Sequence, residues 1–568
     1  MAKPLMSRLA HMLAKLASFL RYRQFLRSSA NLQKTQEAQL RRILVSIEGT
    51  ESARQLGINR RTQLAQFQEK LPITDYHDWQ TLIERQNQDR QAAIISASEC
   101  NRFQPTSGST SKIKWIPYTS EFLNELDQAI SPWLWSLYSQ YSGISRGRHY
   151  WSLSWIPSEL RKIASGNVND DLELLPKWKR LFMQAIMAVP DEVSNTESSE
   201  SSLFATICFL AADKQLTVIS VWSPTFALNM LHFMQQHKEA IAQTLISGKW
   251  SMFADELEHL EAPHSIEQAR TLADLSEDIE AEFLRKLWPD IALISCWDTA
   301  SSTTFAHELR EYFPGAAFEG KGLWATEGVV TFPFKGKYPL SICSHFYEFQ
   351  DLQDEKIYAS WELTKGQVVR PILTTGSGLL RYGMKDKVRV VDFFNQTPCF
   401  EFLGRLDGTD MVGEKLSADV AGWIMQNVAA KFDLVKPISL LAVPAVEKRL
   451  PYYLLLCESL TSVTSNLSRE IAAAVEAELK KHFHYQLARE LGQLAMAHCV
   501  VSKDAWGLYV SRCQRRGMVE GNIKVESLVQ WDSILPAQFA HPEQPFESTH
   551  SAASIPLPKA KEKIRVSQ

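Results

Sequence analysis

The sequence lacks both a metal-type cysteine pattern and a long apolar run. Its 8 cysteines are scattered, without a Cys-x-x-Cys pair or a cluster of cysteine with histidine, which argues against a zinc site and a disulfide framework. No uninterrupted apolar stretch is long enough to cross a bilayer. The formal net charge is only -3, so the composition gives no sign of nucleic-acid binding. A cytoplasmic protein of enzyme size is expected.

The N-terminus suggests a basic amphipathic helix over residues 5–27. Leucines lie on one side and basic residues elsewhere: Leu5, Leu9, Leu13, Leu16 and Leu20 against Arg8, Lys15, Arg21 and Arg23. Such a helix can rest on an anionic membrane surface. Most amphipathic helices instead face the core of their own domain. Packing on the first domain is therefore the preferred interpretation; no stable membrane insertion is expected, and weak surface association stays open.

The composition, with 45% hydrophobic and 22% charged residues, is typical of a globular protein. Strand-like runs are predicted at residues 203–212, 216–222, 291–297, 329–334 and 338–347, and helical patterns at residues 226–245 and up to about residue 287. This alternation, after a helical N-terminal segment, predicts a large α/β domain over residues 1–403.

A smaller α+β domain is predicted for residues 411–531. Strands are expected at 438–443 and 452–456, followed by a helix over 468–483. Between the two domains, residues 404–410 are polar and contain two glycines, as a hinge requires. Proline, serine, histidine and charge dominate residues 532–568, which predicts a disordered tail.

The most informative motif is Thr106-Ser107-Gly108-Ser109-Thr110-Ser111, with Lys114 close behind. Hydroxyls, closely spaced backbone N–H groups and a nearby ammonium can hold a phosphate group. Ser/Thr/Gly clusters are more often ordinary loops, so the run alone decides nothing.

Residues 315–321 nearly match the nucleotide-binding P-loop motif. However, Gly322 occupies the position where that motif requires Ser or Thr. The following segment also looks extended rather than helical. We therefore reject the P-loop interpretation.

Two further segments carry polar groups suited to a nucleotide. Thr326-Glu327 follows Trp324-Ala325 and pairs a hydroxyl with a carboxylate, a combination that can serve phosphate and Mg²⁺ together. Asp386 precedes the strand-like residues 388–391, and an ionised carboxylate can accept hydrogen bonds from both ribose hydroxyls. Each segment alone is as well explained by a solvated turn.

The order of these motifs is more specific than any one of them. It runs through residues 106–114, Thr326-Glu327, residues 381–386, Gly404-Arg405, Gly413-Glu414-Lys415 and Gly521-Asn522-Ile523-Lys524, with residues 221–226 and 345–349 between. The series resembles the adenylate-forming superfamily and, within it, the auxin-responsive Gretchen Hagen family of acyl-acid amido synthetases. The resemblance covers residues 70–530.

The resemblance implies a large adenylation domain, a mobile small domain, and roles for individual residues. Thr106, Ser107, Gly108, Ser109, Thr110 and Lys114 would grip the phosphates of ATP; Leu323 and Trp324 would lie near adenine, Thr326 near the α-phosphate, Asp386 on the ribose and Arg405 at the hinge against the nucleotide. Glu327 would hold Mg²⁺. Lys524 would bridge the α-phosphate and the attacking carboxylate, so Lys524, Glu327 and Thr326 form the catalytic set.

Three departures from the family pattern stand out. The phosphate loop is about two residues shorter, so that Lys112 and Lys114 compete for the loop-lysine role. Leu323 replaces an aromatic residue that commonly stacks on adenine. Met384-Lys385 precedes Asp386 where the family usually shows Arg-x-Gly-Asp after the tyrosine. These changes bear on nucleotide affinity and specificity.

The expected activity is ATP-dependent activation of a carboxylic acid, followed by transfer of the acyl group to an amine such as an amino acid. Transfer to the thiol of coenzyme A, and a non-catalytic nucleotide- or acyl-binding protein, remain alternatives. Trp222, Phe226, Phe346 and Tyr347 are candidates for an acyl pocket, although aromatic residues at strand ends more often belong to the core. The sequence does not indicate which acid is activated, which acceptor is used, or the oligomeric state.

Overall fold

A computed structural model describes residues 2–106, 114–151, 185–276, 279–299, 302–406, 408–445, 449–459, 465–515 and 527–531. The N-terminal segment is helical, as predicted. Its helices are α1 (Ala2–Ser28), α2 (Leu32–Ser46), α3 (Glu51–Gln55), α4 (Leu64–Lys70) and α5 (Tyr76–Gln88). Within the described ranges, no helix is both long enough and apolar enough to span a membrane.

Helix α1 packs on helix α6 (Ser120–Gln140). His11 Nδ1 lies 2.9 Å from the Tyr138 hydroxyl, and Lys15 Nζ donates to Tyr138 O at 3.5 Å. The prediction that α1 packs on its own domain is confirmed. The expectation that its leucines face the core is wrong, since Leu9, Leu16 and Leu20 are exposed. Small and polar residues form much of the buried side instead, and Phe19 and Tyr22 add ring contacts with Trp135 of α6.

A hairpin, β1 (Cys100–Thr106) and β2 (Lys114–Thr119), comes before α6. A four-stranded parallel sheet follows it, made of β3 (Arg148–Trp151), β4 (Leu216–Ser220), β5 (Leu293–Ser295) and β6 (Ala317–Glu319), in that order. The helices of this region are α7 (Ser199–Ala212), α8 (Pro224–Gln236), α9 (Lys238–Ser247), α10 (Ile266–Ala273), α11 (Ala281–Leu287) and α12 (Thr303–Tyr312).

The strand predicted at residues 203–212 is wrong, because these residues lie in α7. This helix is apolar along most of its length and buried, so an uninterrupted apolar run does not distinguish it from a buried strand. Ser198 marks its start, where the side chain accepts from the Ser201 N–H. The helix predicted at residues 226–245 is divided into α8 and α9 at His237.

The segment after the parallel sheet forms antiparallel structure. Strands β7 (Trp324–Ala325) and β8 (Gly328–Val329) make a short hairpin. A six-stranded sheet contains β9 (Phe346–Asp351), β10 (Ile357–Ala359), β11 (Val368–Thr374), β12 (Tyr382–Gly383), β13 (Asp386–Phe394) and β14 (Thr397–Arg405) in the order β10-β9-β11-β13-β14, with β12 also paired to β11. The strands predicted at 329–334 and 338–347 are too long, since β8 ends at Val329, β9 begins at Phe346, and only isolated bridges lie between them.

The C-terminal region has its own four-stranded sheet and hydrophobic cores. Its elements are α13 (Ala418–Lys431), β15 (Lys436–Val443), β16 (Tyr452–Glu458), α14 (Ser465–Leu479), α15 (Phe483–Glu490), β17 (His498–Ser502), α16 (Ala505–Arg515) and β18 (Leu528–Gln530). The predicted fold class, a large α/β region followed by a smaller α+β region, is confirmed. The tail predicted at residues 532–568 lies outside the described residues.

Candidate active site

The two ends of the predicted phosphate loop are fixed on the β1–β2 hairpin. Thr106 and Lys114 face each other as cross-strand partners. Lys114 Nζ lies 5.4 Å from the centre of the Tyr76 ring, and the Tyr76 hydroxyl accepts from the Trp115 N–H at 2.8 Å. The loop residues themselves, Ser107, Gly108, Ser109 and Thr110, lie outside the described residues, as does Lys112.

The turn between β7 and β8 carries Thr326 and Glu327. The Tyr118 hydroxyl, from β2, donates to Thr326 O at 3.2 Å. The Tyr382 hydroxyl, from β12, lies 3.3 Å from Glu327 Oε1 and donates to it. Two tyrosines therefore connect this turn to the phosphate-loop hairpin on one side and to the Asp386 segment on the other.

Asp386 and Arg405 are brought together by strand pairing. Asp386 is the first residue of β13, Arg405 is the last of β14, and the two are cross-strand partners. Directly beyond this pair, the Leu406 N–H donates to Lys385 O at 2.7 Å. The predicted ribose ligand and the predicted hinge arginine thus lie at the same end of the antiparallel sheet.

A buried polar network contacts strand β8, which follows the Thr326-Glu327 turn. His345 Nδ1 lies 2.8 Å from Glu125 Oε2, and the Val329 N–H donates to His345 Nε2 at 3.2 Å. Because Nε2 accepts, the proton of a neutral His345 sits on Nδ1 and points to Glu125. Arg42 and the Gly376 N–H also donate to Glu125, at 3.0 and 2.8 Å. Sequence reasoning missed Glu125, since no motif distinguishes it from other polar residues of a helix.

A second buried pair anchors the residues before Asp386. Arg381 donates from Nε and Nη2 to the carboxylate of Glu348, at 2.9 and 3.0 Å. Arg381 Nη1 also donates to Gln68 O at 3.1 Å and to Leu71 O. The guanidinium joins α4 to β9 and holds the backbone that leads into Tyr382.

A cluster of indoles surrounds a buried ammonium at the edge of the parallel sheet. Lys321, only 6% exposed, donates to Ser220 Oγ. Its Nζ lies 5.8, 5.4 and 5.3 Å from the ring centres of Trp133, Trp151 and Trp222, distances at which an ammonium is attracted to the ring face. We call these four side chains the lysine–tryptophan cluster. The sequence marked Lys321 only as the end of a rejected P-loop.

The position of this cluster follows from the topology. Trp151 ends β3, Ser220 ends β4, and Lys321 comes two residues after β6. Because the strands are parallel, their carboxyl ends meet at one edge, where α/β sheets bind ligands. The ring of Trp324, on β7, lies 5.8 Å from Trp133 and 6.3 Å from Trp222. The cluster therefore adjoins the strand that leads to Thr326.

Burial sets the electrostatics of this edge. Glu319, at the end of β6, accepts from Trp133 Nε1 at 2.9 Å. Burial raises the pKa of the Glu319 carboxyl, and the Trp133 hydrogen bond and the Lys321 ammonium oppose that rise. Burial likewise raises the pKa of Asp298, against the charge of Arg310. Both carboxyls at this edge are therefore shifted toward their neutral forms.

The other predicted site residues occupy different surroundings. Trp222 and Phe226 are partly buried, with Phe226 packed on the core of the parallel sheet. Phe346 and Tyr347 are fully buried, and the Tyr347 hydroxyl donates to Val329 O at 2.5 Å. Leu323 is buried, and its N–H donates to Thr331 Oγ1 at 2.8 Å. These contacts favour a supporting role for Tyr347 and Leu323, and the acyl-pocket assignment stays a prediction. Lys524 lies outside the described residues.

No preformed metal cage occurs in the part of the chain that the structure describes. No group of three or more His, Cys, Asp and Glu side chains there is arranged to hold a metal ion. A single carboxylate at Glu327 still suits Mg²⁺, which in nucleotide enzymes takes one or two carboxylates and completes its shell with phosphate oxygens and water.

Three family domains match this chain in sequence. The GH3 family N-terminal domain matches residues 21–318, the central domain residues 338–405 and the C-terminal domain residues 424–533. The chain belongs to the GH3 family. The resemblance inferred from the ordered motifs is therefore confirmed.

Curated and solved GH3 proteins resemble the chain over most of its length. GH3.15 of Arabidopsis thaliana, an indole-3-acetic acid-amido synthetase, is 21% identical over 410 residues, 66% of this chain and 68% of that protein. JAR4 of Nicotiana attenuata, a jasmonoyl–L-amino acid synthetase, is 21% identical over 66% of this chain and 69% of its own. The solved GH3.15 acyl acid amido synthetase covers 89% of this chain and 93% of its own, at a TM-score of 0.59 and 18% identity. The GH3 fold is thus shared.

Proposed function

We propose that this GH3 protein activates a carboxylic acid with ATP and transfers the acyl group to an amine, most simply an amino acid. It is an acid–amine ligase of the adenylate-forming kind. The hydrogen bond between Tyr382 and Glu327 carries the proposal, because it joins two motif segments that lie far apart in the chain. The names of the relatives GH3.15 and JAR4, an amido synthetase and an amino acid synthetase, support the same reaction.

ATP would lie between the β1–β2 hairpin and the end of the antiparallel sheet. The loop after Thr106 would wrap the β- and γ-phosphates, with Lys114 adding charge. Thr326 would contact the α-phosphate, and Asp386 would accept from the ribose hydroxyls. Arg405, the cross-strand partner of Asp386, would contact the nucleotide from the hinge side. Leu323 would contribute apolar contact beside adenine.

Adenylation requires two anions to approach each other. The acid carboxylate must reach the α-phosphate, and Lys524 would neutralise that repulsion by contacting both groups. Glu327 would hold Mg²⁺, which would screen the phosphate charge when bound. The buried Glu125–His345 pair holds the Val329 N–H two residues after Glu327, which would limit movement of the turn.

The acid side chain would lie against the lysine–tryptophan cluster. Trp222, predicted from sequence as an acyl-pocket residue, belongs to this cluster, and its ring meets that of Trp324. Trp324 in turn leads directly to Thr326. An acid seated here would present its carboxylate toward Thr326 and its apolar part to the indoles. Phe226 would extend the same wall, from α8.

Pyrophosphate exchange tests the first half-reaction. The protein is incubated with ATP, Mg²⁺, labelled pyrophosphate and a panel of aliphatic and aromatic acids. At least one acid should stimulate exchange, and Lys524→Ala should reduce that exchange by about 10²–10³-fold, the typical cost of removing one charge-stabilising group. Unchanged melting temperature would show that the variant folds. Near-normal exchange in Lys524→Ala would refute the role of Lys524.

Product analysis tests the second half-reaction. An activating acid is offered amino acids and coenzyme A separately, and the products are identified by mass. An amide product is expected. A thioester alone would identify an acyl-CoA ligase, and no exchange with any acid would favour a non-catalytic binding protein. Cytoplasmic localisation, predicted from the sequence, stays a prediction.

A further inference from the structure

The outward side of helix α1 is apolar. Leu9, Met12, Leu16 and Leu20 are 51, 52, 57 and 76% exposed. They are four of the 13 large hydrophobic side chains that are exposed among the described residues. Their spacing of three or four residues places them on one side of the helix. We call these four residues the α1 stripe.

The α1 stripe lies opposite the side by which α1 is held. Ser7, Ala10, His11, Ala14, Ser18 and Phe25 are buried, and at 100° per residue their mean direction points away from the stripe. The apolar side of the helix is therefore not needed for packing on the domain. A soluble surface rarely carries a continuous apolar patch that has no binding role.

The charge of α1 identifies the kind of partner. The helix contains six basic residues and no acidic one: Lys3, Arg8, Lys15, Arg21, Arg23 and Arg27. Arg23 and Arg27 follow Leu20 at three- and seven-residue spacing and are exposed, so they continue the stripe. Arg8 is also exposed, beside Leu9. Leucines bordered by arginines match a membrane surface whose anionic headgroups lie above an apolar layer.

We propose that α1 docks the protein on an anionic phospholipid surface, parallel to the membrane plane, with the α1 stripe inserted among the acyl chains. Arg8, Arg23 and Arg27 contact the headgroup phosphates. A second copy of the chain is a poorer occupant, because a two-fold contact between α1 helices would bring twice the cationic charge together without any acidic residue of α1 to balance it. This inference does not depend on the proposed function.

Vesicle sedimentation tests the proposal with the full chain. The vesicles contain phosphatidylcholine alone, or two parts phosphatidylcholine to one part phosphatidylserine. Leu16→Gln/Leu20→Gln removes half of the stripe without touching a buried residue. Ile246→Gln/Ile266→Gln is the matched control, since Ile246 and Ile266 are 57 and 47% exposed but lie elsewhere. Arg23→Gln/Arg27→Gln tests the headgroup contact.

The wild-type protein should sediment with the anionic vesicles and should stay in solution when the vesicles are neutral. Binding should weaken about tenfold or more in the leucine variant and also in the arginine variant, and should stay within about twofold in the isoleucine control. No binding, equal binding to neutral vesicles, or equal weakening in the control would overturn the proposal. A wild-type dimer that the leucine variant converts to a monomer would overturn it as well, in favour of a second copy.

Discussion

At the scale of single residues, the site depends on buried charges whose partners come from distant segments. Arg381 has a left-handed backbone, with φ 48°, a conformation that costs free energy in a residue other than glycine. Its guanidinium compensates by four hydrogen bonds to Glu348, Gln68 and Leu71. The sequence predicted that the segment containing Arg381 matters. It could not predict Glu348 as the partner, because the two meet through the pairing of both β9 and β12 with β11.

Arg381→Met should destabilise the protein strongly. Arg381 and Glu348 side chains are 3 and 1% exposed, so the variant leaves a buried carboxylate without its cation, which costs about 3–5 kcal/mol. The surface pair Arg389–Glu401, 47 and 44% exposed, provides the control, and Arg389→Met should cost about 1 kcal/mol or less. Urea denaturation followed by circular dichroism measures both. Equal losses would show that the Arg381 contacts contribute nothing beyond a surface pair.

At the scale of elements, the sequence predicted those strands and helices whose pattern is unambiguous. Short apolar runs identified β15 and β16, and four-residue spacing identified α14. Residues 203–212 were predicted as a strand and form α7, because a fully buried helix has no polar side to reveal its period. For α1 the pattern gave the right helix and the wrong buried face. The leucine period there belongs to the outward side, and small, polar and aromatic residues make the contact with α6.

The segment after the predicted hinge is held by an element-scale contact that the sequence did not reveal. Glu414 is buried, accepts from the Met411 and Val412 N–H groups at 2.9 and 2.8 Å, and accepts from the Tyr453 hydroxyl at 2.5 Å. Burial, and then the charge of Asp410, raises the pKa of the Glu414 carboxyl from 4.5 to about 7. The segment is therefore attached to β16 through a carboxyl that titrates near neutral pH.

The stability of the protein should respond to this titration. The folded carboxyl keeps its proton at pH values where the unfolded chain has lost it, so its contribution is complete below the unfolded pKa of 4.5 and disappears as the pH rises through about 7. Glu414→Gln cannot titrate, and its melting temperature should fall less than that of the wild type between pH 5 and 8. Glu401→Gln, at an exposed position, should keep the wild-type dependence. Identical slopes in wild type and Glu414→Gln would contradict this account.

At the scale of the whole molecule, the chain consists of regions with separate hydrophobic cores. The largest core includes α1–α6 and the antiparallel sheet, another surrounds the parallel sheet, and two lie on the C-terminal sheet. The predicted domain limits at 403 and 411 stay predictions, and the family domains end and begin nearby, at 405 and 424. The site draws residues from the first two cores. Under the proposed mechanism, Lys524 of the C-terminal region would have to reach this site for adenylation.

The short connection between these regions limits where a rotation can occur. On one side the Leu406 N–H is bonded to Lys385 O at 2.7 Å. On the other, Thr409 and Leu416 exchange two backbone hydrogen bonds of 2.9 Å, and the Thr409 hydroxyl lies 2.7 Å from that of Tyr453. If a domain rotation keeps these contacts, we expect it to take place between Leu406 and Thr409, within the predicted hinge.

Asp407→Pro should therefore impair the second half-reaction more than the first. Proline fixes φ near −65° and restricts the residue before it, which opposes the rotation that would reshape the site for the incoming amine. Single-turnover assays measure adenylate formation and amide formation separately, and amide formation should slow by about tenfold more than adenylate formation. Asp407→Ala, which removes the carboxylate and leaves φ unrestricted, should change neither rate by more than about twofold. If the proline variant slowed both steps equally, the rotation would lie elsewhere in the chain.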